Sequence, residues 1–157
     1  MRLEYFQLLD RIVELDIANR TIRTEATVPL ESSIFQGHFP GYPLMPGVLL
    51  LETMAQTAGW LIIGLTKFER MPFLAAFKEA KLRTFITPGT TLSASAKLEH
   101  EGSGYTIAQA EISVDGKVTC DCEITFRVVN FPAPELRTYM QREAERLHFP
   151  MGTTADG

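Results

Sequence analysis

Gly37-His38-Phe39-Pro40-Gly41-Tyr42-Pro43-Leu44-Met45-Pro46-Gly47 runs straight into Val48-Leu49-Leu50-Leu51-Glu52-Thr53-Met54-Ala55-Gln56, and the reading of the chain turns on that junction. Six of the first eleven residues are Gly or Pro, so this part is irregular. Pro46 suits the first position of a helix, where a missing N–H costs nothing. From Val48 to Leu65 apolar residues surround almost the whole circumference, as in a helix buried on most sides. The same stretch is long enough to mimic a membrane span. It carries Glu52, Thr53, Gln56 and Thr57, however, and a carboxylate in hydrocarbon is costly. The expectation is a core helix in a cytoplasmic protein without a membrane span.

Upstream, residues 20–29 have the threonine-rich alternation of a short strand. Downstream of Pro72 the period changes from helical to extended. Thr91–Leu98, Tyr105–Val114 and Lys117–Val129 all alternate, joined by Glu101-Gly102-Ser103-Gly104 and by Asp115-Gly116, a strong hairpin signal. One buried helix followed by an antiparallel meander predicts an α+β domain. Phe131-Pro-Ala-Pro134 breaks the sheet. Glu135–Leu147 can form an amphipathic helix with Leu136, Met140, Ala144 and Leu147 on one side, and residues 150–157 read as a loose tail.

The chain has 157 residues, enough for one core, and a net charge of −4 from 15 basic and 19 acidic side chains. That balance gives phosphates no reason to bind, so nucleic acid is not an expected partner. Cys120 and Cys122 lie two apart, on one strand face rather than at disulfide geometry, and read as structural thiols of a reducing compartment. Met1–Phe6 lacks the basic and apolar regions of a secretory signal.

Of three histidines, His100 and His148 read as surface residues, while His38 sits in the stiffened loop and has little conformational freedom to lose. Glu52 interrupts the apolar helix, with Gln56 at i+4 within reach. Helical side chains lean toward the N-terminus, which aims Glu52 back toward Gly47 and the His38 loop. The first-turn N–H groups of Gly47 and Val48 make a natural oxyanion site. A base, an acid and oxyanion donors thus fall within Gly37–Gln56. A structural histidine and a self-satisfied Glu–Gln pair would give the same spacing.

The run from His38 to Gln56 closely resembles the signature of the FabZ-type (3R)-hydroxyacyl-[acyl-carrier-protein] dehydratases. Its Pro and Gly positions, the His38-to-Glu52 offset and the trailing Met54-Ala55-Gln56 all match. Phe77–Phe85 and Pro88-Gly89 resemble the next segment of that family. The resemblance covers roughly residues 1–130, taken as the dehydratase domain, and leaves 131–157 as a C-terminal extension. It implies a hotdog fold, an antiparallel sheet wrapped around a long central helix. It also implies a homodimer or trimer of dimers, each site joining the histidine of one protomer to the glutamate of the other. Carried over by position, His38 is the base and Glu52 the acid. The N–H of Gly47 polarises the thioester carbonyl, Gln56 orients Glu52, and the Leu44 carbonyl fixes the His38 ring. No metal or organic cofactor is implied.

Glutamate at 52, where the related FabA-type enzymes usually carry aspartate, implies simple trans-2-enoyl formation. Phe77-Lys78-Glu79 and Thr90 depart from the family pattern. With Met71-Pro72-Phe73 and the extension, they resemble a subgroup acting on the very-long-chain hydroxy acids of lipid A. The implied partner, an acidic acyl carrier protein, needs a local basic patch. Lys81 and Arg83 are the candidates, with Lys78, Lys67 and Arg70 nearby. Leu49, Met54, Trp60 and Phe73 are candidates for an acyl channel. A non-catalytic acyl-thioester-binding hotdog and a hotdog thioesterase are the competing readings.

Overall fold

Alternating apolar and polar residues let one face of a strand enter a core. In the computed structural model, which describes residues 1–150, that pattern becomes six strands around one helix. In chain order the elements are a 3-10 turn at Leu3–Tyr5, β1 (Arg11–Asp16), β2 (Thr21–Thr27), α1 (Ser33–Gly37), α2 (Gly47–Leu65), β3 (Arg70–Leu82), β4 (Thr91–Gly102), β5 (Tyr105–Val114), β6 (Lys117–Asn130) and α3 (Pro134–Arg146). The strands form one antiparallel sheet in the order β1-β2-β4-β5-β6-β3, and β2 to β6 all touch α2. This is the hotdog fold.

The inward faces explain how the sheet fits the helix. Leu92, Ala94, Ala96 and Leu98 on β4 and Ala108, Ala110 and Ile112 on β5 are buried, and the alanines leave room for α2 to lie close. Around α2, Leu49, Leu50, Met54, Ala58, Leu61 and Ile62 are all buried. Its polar side chains find partners. Thr53 Oγ1 donates to the Leu49 carbonyl at 2.7 Å, Thr57 Oγ1 to the Thr53 carbonyl at 2.9 Å, and Thr57 pairs with Thr24 of β2 at 2.9 Å. By length and composition α2 could cross a membrane, yet 67% of its apolar window is buried inside this fold.

Pro46 is the N-cap rather than the first helical residue. Its ψ of 133° is extended, and its carbonyl accepts from Leu49 at 3.0 Å and Leu50 at 3.2 Å. The helix therefore opens on Gly47. The hairpin reading of Asp115-Gly116 holds, since both residues have positive φ (50° and 79°) and Val114 pairs with Lys117. Pro72 lies within β3 rather than ahead of it. It is tolerated because β3 is an edge strand, paired on one side only with β6. Cys120 and Cys122 are free and buried, and burial, ahead of the neighbouring Cys120 and Asp121 charges, pushes the Cys122 thiol up to about 12.

The sequence pattern does not announce β1, α1 or the Leu3–Tyr5 turn. α3 begins on Pro134 and sends Ala144, with Leu147 just beyond it, into the core. Beyond α3, Phe149 packs tilted against Trp60 and edge-on against Phe68, ring centroids 5.9 and 5.1 Å away. Residues 151–157, most of the expected tail, lie outside the described residues.

Candidate active site

His38 owes its position to a short, heavily tied stretch. Ser32 caps α1 by accepting from the Ile34 N–H at 3.2 Å, and the helix stops at Gly37, one residue before the histidine. Beyond it Phe39 and Tyr42 exchange both backbone hydrogen bonds, at 3.0 and 2.9 Å. The Met45 N–H reaches the Ile86 carbonyl at 2.8 Å, fastening the loop to the segment after β3. The Leu44 N–H donates to the His38 carbonyl at 3.0 Å, which ties the two backbones together. The ring lies against Phe39 at 4.1 Å.

His38 opens onto a pocket of about 450 Å³ lined by Phe39, Gly47, Leu50, Leu82, Arg83 and Phe85, among others. The Gly47 and Val48 N–H groups stand in the first turn of α2, with no carbonyl behind them in the helix. The helix dipole adds partial positive charge at the same place. Gly47 lines this pocket, whereas Val48 is exposed and is not part of its lining. A Cβ at 47 would lie 2.5 Å from Leu82 Cδ1, the tip of a half-exposed side chain, so a larger residue there displaces Leu82 within the pocket.

Glu52 lies elsewhere. Its Oε1 accepts from Gln56 Nε2 at 3.2 Å, and that amide also donates to the Phe6 carbonyl at 2.8 Å. Gln56 Oε1 accepts from the Leu8 N–H at 3.4 Å. The amide is thus gripped at both ends by the N-terminal segment, and it holds the carboxylate in turn. Both side chains line a second cavity of about 230 Å³, with Gly59, Trp60, Ile63, Met71 and residues of α3. Glu52 is half-buried there.

Within one chain, then, Glu52 and Gln56 come together, as do His38 and Gly47, but His38 and Glu52 line different cavities. The expectation that Glu52 leans back to the His38 loop of its own chain is not met. Five residues separate Glu52 from Gly47, a rotation of about 140° around the helix, which puts them on different faces. Of the candidate docking cations, Arg83 borders the His38 pocket, is ion-paired with Asp121, and donates its N–H to the Thr119 carbonyl. Lys81 lies exposed near the end of β3, past a bulge between Lys78 and Lys81. Leu49 and Met54 are core, Trp60 lines the Glu52 cavity, and Phe73 is exposed on the edge strand. The Phe6 carbonyl and the Leu8 amide are site groups that sequence reasoning missed. Backbone atoms carry no residue-type signal, and only the paired Leu8-Leu9 hints that the segment is buried.

The FabA-like domain matches residues 2–123 of the chain. The 3-hydroxyacyl-[acyl-carrier-protein] dehydratase FabZ of Lactococcus lactis is 38% identical over 124 residues, covering 77% of this chain and 83% of that protein. The FabZ of Clostridium acetobutylicum is 36% identical over 123 residues, covering 78% and 86%. The chain belongs to the FabZ dehydratase family. Among solved structures, the dehydratase heterocomplex ApeI:P from Xenorhabdus doucetiae superposes with a TM-score of 0.67 at 19% identity, over 86% of this chain and 90% of that one. A hypothetical thioesterase with coenzyme A from Streptococcus pneumoniae gives 0.61 at 13% identity, over 78% and 90%. At such identities the two structures speak for the hotdog fold and for nothing finer, whereas family membership rests on the first three matches.

Proposed function

We propose that the protein dehydrates (3R)-hydroxyacyl thioesters carried on acyl carrier protein to the trans-2-enoyl products, with His38 as base and Glu52 as acid. His38 removes the proton next to the thioester carbonyl, and the electron pair moves toward the carbonyl oxygen. The Gly47 N–H group meets the charge that develops there. Glu52 hands its proton to the departing hydroxyl, the C–O bond breaks and water leaves. Proton transfers of this kind contribute about 10²–10⁴-fold each, and an oxyanion donor about 10²–10³-fold. Gln56 holds Glu52 in place, Leu44 anchors the backbone of His38, and no metal or organic cofactor takes part.

The observation that carries this reading is the pairing of groups by cavity. His38 shares its pocket with the Gly47 amide, while Glu52 shares its cavity with Gln56, with the apolar Trp60, Ile63, Met71 and Met140, and with Glu143 and Arg146. Acid and base on separate surfaces of one chain suit a site shared between two protomers. The edge strand β3 supports a dimer as well. Phe73 and Leu74 are exposed on it, and its outer side is unpaired, a combination that calls for a covering partner. Lys81 and Arg83 beside the His38 pocket are the proposed contacts for the acidic carrier protein, and the free, buried thiols fit the cytoplasm.

Hydration of trans-2-enoyl thioesters, followed by loss of absorbance, tests the reading. His38→Ala and Glu52→Gln are each expected to lose at least about a hundredfold in rate. Unfolded and refolded together in equal amounts, the two inactive variants regain about a quarter of wild-type activity, because half the dimers are mixed and each of those holds one intact site. Activity in His38→Ala would remove the base, and no regain on mixing would remove the shared site. Wild type inactive on every chain length would favour an acyl-binding role.

A further inference from the structure

The family match stops at residue 123, yet the cavity that opens at Glu52 is closed by side chains that come later. Tyr139, Met140, Glu143 and Arg146 of α3 face it, together with Leu147. Opposite them α2 contributes Glu52, Gly59, Trp60 and Ile63, a span of about 16 Å along the helix axis. α3 is fastened in this position. Arg146 Nη1 donates to the Leu9 carbonyl at 3.0 Å, Gln7 Nε2 to Glu143 at 3.3 Å, and the Ile12 N–H to the Leu147 carbonyl at 2.8 Å. The Glu143–Arg146 pair, 2.8 Å apart, stiffens its last turn.

We infer that α3 is a wall of the acyl-chain site, and that Tyr139 and Met140 are specificity-determining residues that set how well longer chains are processed. This rests on the dehydratase reading, because the acid lining the cavity is what identifies the occupant as the acyl tail of its own substrate. The tail leaves water for Trp60, Ile63 and Met140, and each methylene so transferred raises kcat/KM about fourfold. Without α3 the same methylenes lie against Trp60 and Ile63 on one side and water on the other. Tyr139 is half-exposed and caps the outer edge.

The test reads the ratio of kcat/KM for a long to a short trans-2-enoyl thioester. Met140→Asp puts a charge in the wall and lowers that ratio at least about tenfold, and Tyr139→Ala lowers it about fourfold, roughly one methylene's worth. Tyr139 sits at the surface, so its variant folds even where Met140→Asp does not. A second readout needs no turnover. Trp60 is the sole tryptophan and lines the cavity, so its emission reports occupancy. Titration with a saturated long-chain acyl thioester, which has no double bond to hydrate, changes wild-type emission saturably, and a short chain does so far less.

Rates that fall equally for both chain lengths, or a ratio unmoved in both variants, overturn the proposal. So does wild-type emission indifferent to chain length. A change of oligomeric state in Tyr139→Ala would give this face to a second copy of the chain instead. Wild type inactive on every enoyl thioester sinks the dehydratase reading and the proposal with it, whereas an unmoved ratio in an active enzyme sinks the proposal alone.

Discussion

The pocket of His38 draws its lining from two short runs of chain, 38–50 and 82–86, whereas the cavity of Glu52 draws on the N-terminal segment, α2, β3, β6 and α3. One is shaped by turns and by a helix end. The other exists only once five distant parts have docked. Substitutions at the turn and helix-end residues of the first therefore act mainly on activity, whereas Met45, Leu50 and Ile86, which that pocket shares with the core, also carry stability. Substitutions around the second act on stability and activity together.

The sharpest way to break this contrast is at Gly47. Gly47→Ala pushes the Leu82 side chain into the His38 pocket beside the Gly47 amide, and a carbonyl misplaced there by about 1 Å costs about a hundredfold in kcat/KM. Gly47→Ala combined with Leu82→Ala recovers much of the loss, and thermal unfolding changes little in either. A drop in Tm as large as that of a core variant would show the first pocket to be no more local than the second. Next in size is Gln56→Leu, which strands the Phe6 carbonyl and the Leu8 N–H and frees Glu52. With the Phe6 carbonyl open to water and the Leu8 N–H part-buried, it costs about 1 kcal/mol of stability, and kcat falls with it. Urea unfolding and initial rates check both parts, and a variant altered in only one of them blurs the comparison.

The same contrast explains what could be read from residues alone. The motif from His38 to Gln56 was legible because Pro, Gly and a lone Glu in an apolar helix are locally informative. Asp115-Gly116 identified its hairpin for the same reason. The separation of His38 from Glu52 was not legible from side-chain lean, since a rotation of about 140° over five residues decides it. Nor was the grip of residues 6–8 on Gln56, because carbonyls and amides look alike at every position. α3 was legible as an amphipathic helix, but nothing in Tyr139-Met140 says which surface it covers.

Two smaller effects sharpen the non-local side. Arg146→Ala loses the bond to the Leu9 carbonyl, worth about 1 kcal/mol, and lowers Tm by about 2–4 °C. An unchanged Tm in a thermal scan would mean that α3 is held by its apolar face alone. The smallest effect concerns Glu4, which accepts from the Ser32 hydroxyl at 2.6 Å and the Ser33 N–H at 2.9 Å, joining the N-terminal segment to α1. Those bonds, the Ser32 hydroxyl first, hold its carboxyl at about 2 instead of 4.5. A depressed carboxylate stabilises the fold above its unfolded value. The benefit of Glu4 over Glu4→Gln is therefore present near neutral pH and is lost as pH falls from 4.5 toward 2. Paired urea midpoints across that range read the difference, which closes at the acid end.

The order of synthesis gives α2 a further consequence. The ribosome delivers this helix before any residue of β4, β5 or β6, so for roughly the time needed to make the next sixty residues its apolar circumference has little beyond the β1–β2 pair to lie against. A nascent chain at that stage displays a segment with the length and hydropathy of a membrane span. Glu52, Gln56 and the two threonines are then all that marks it as a core helix in waiting. The polar side chains of the folded core helix are also the address label of a chain that has not yet folded.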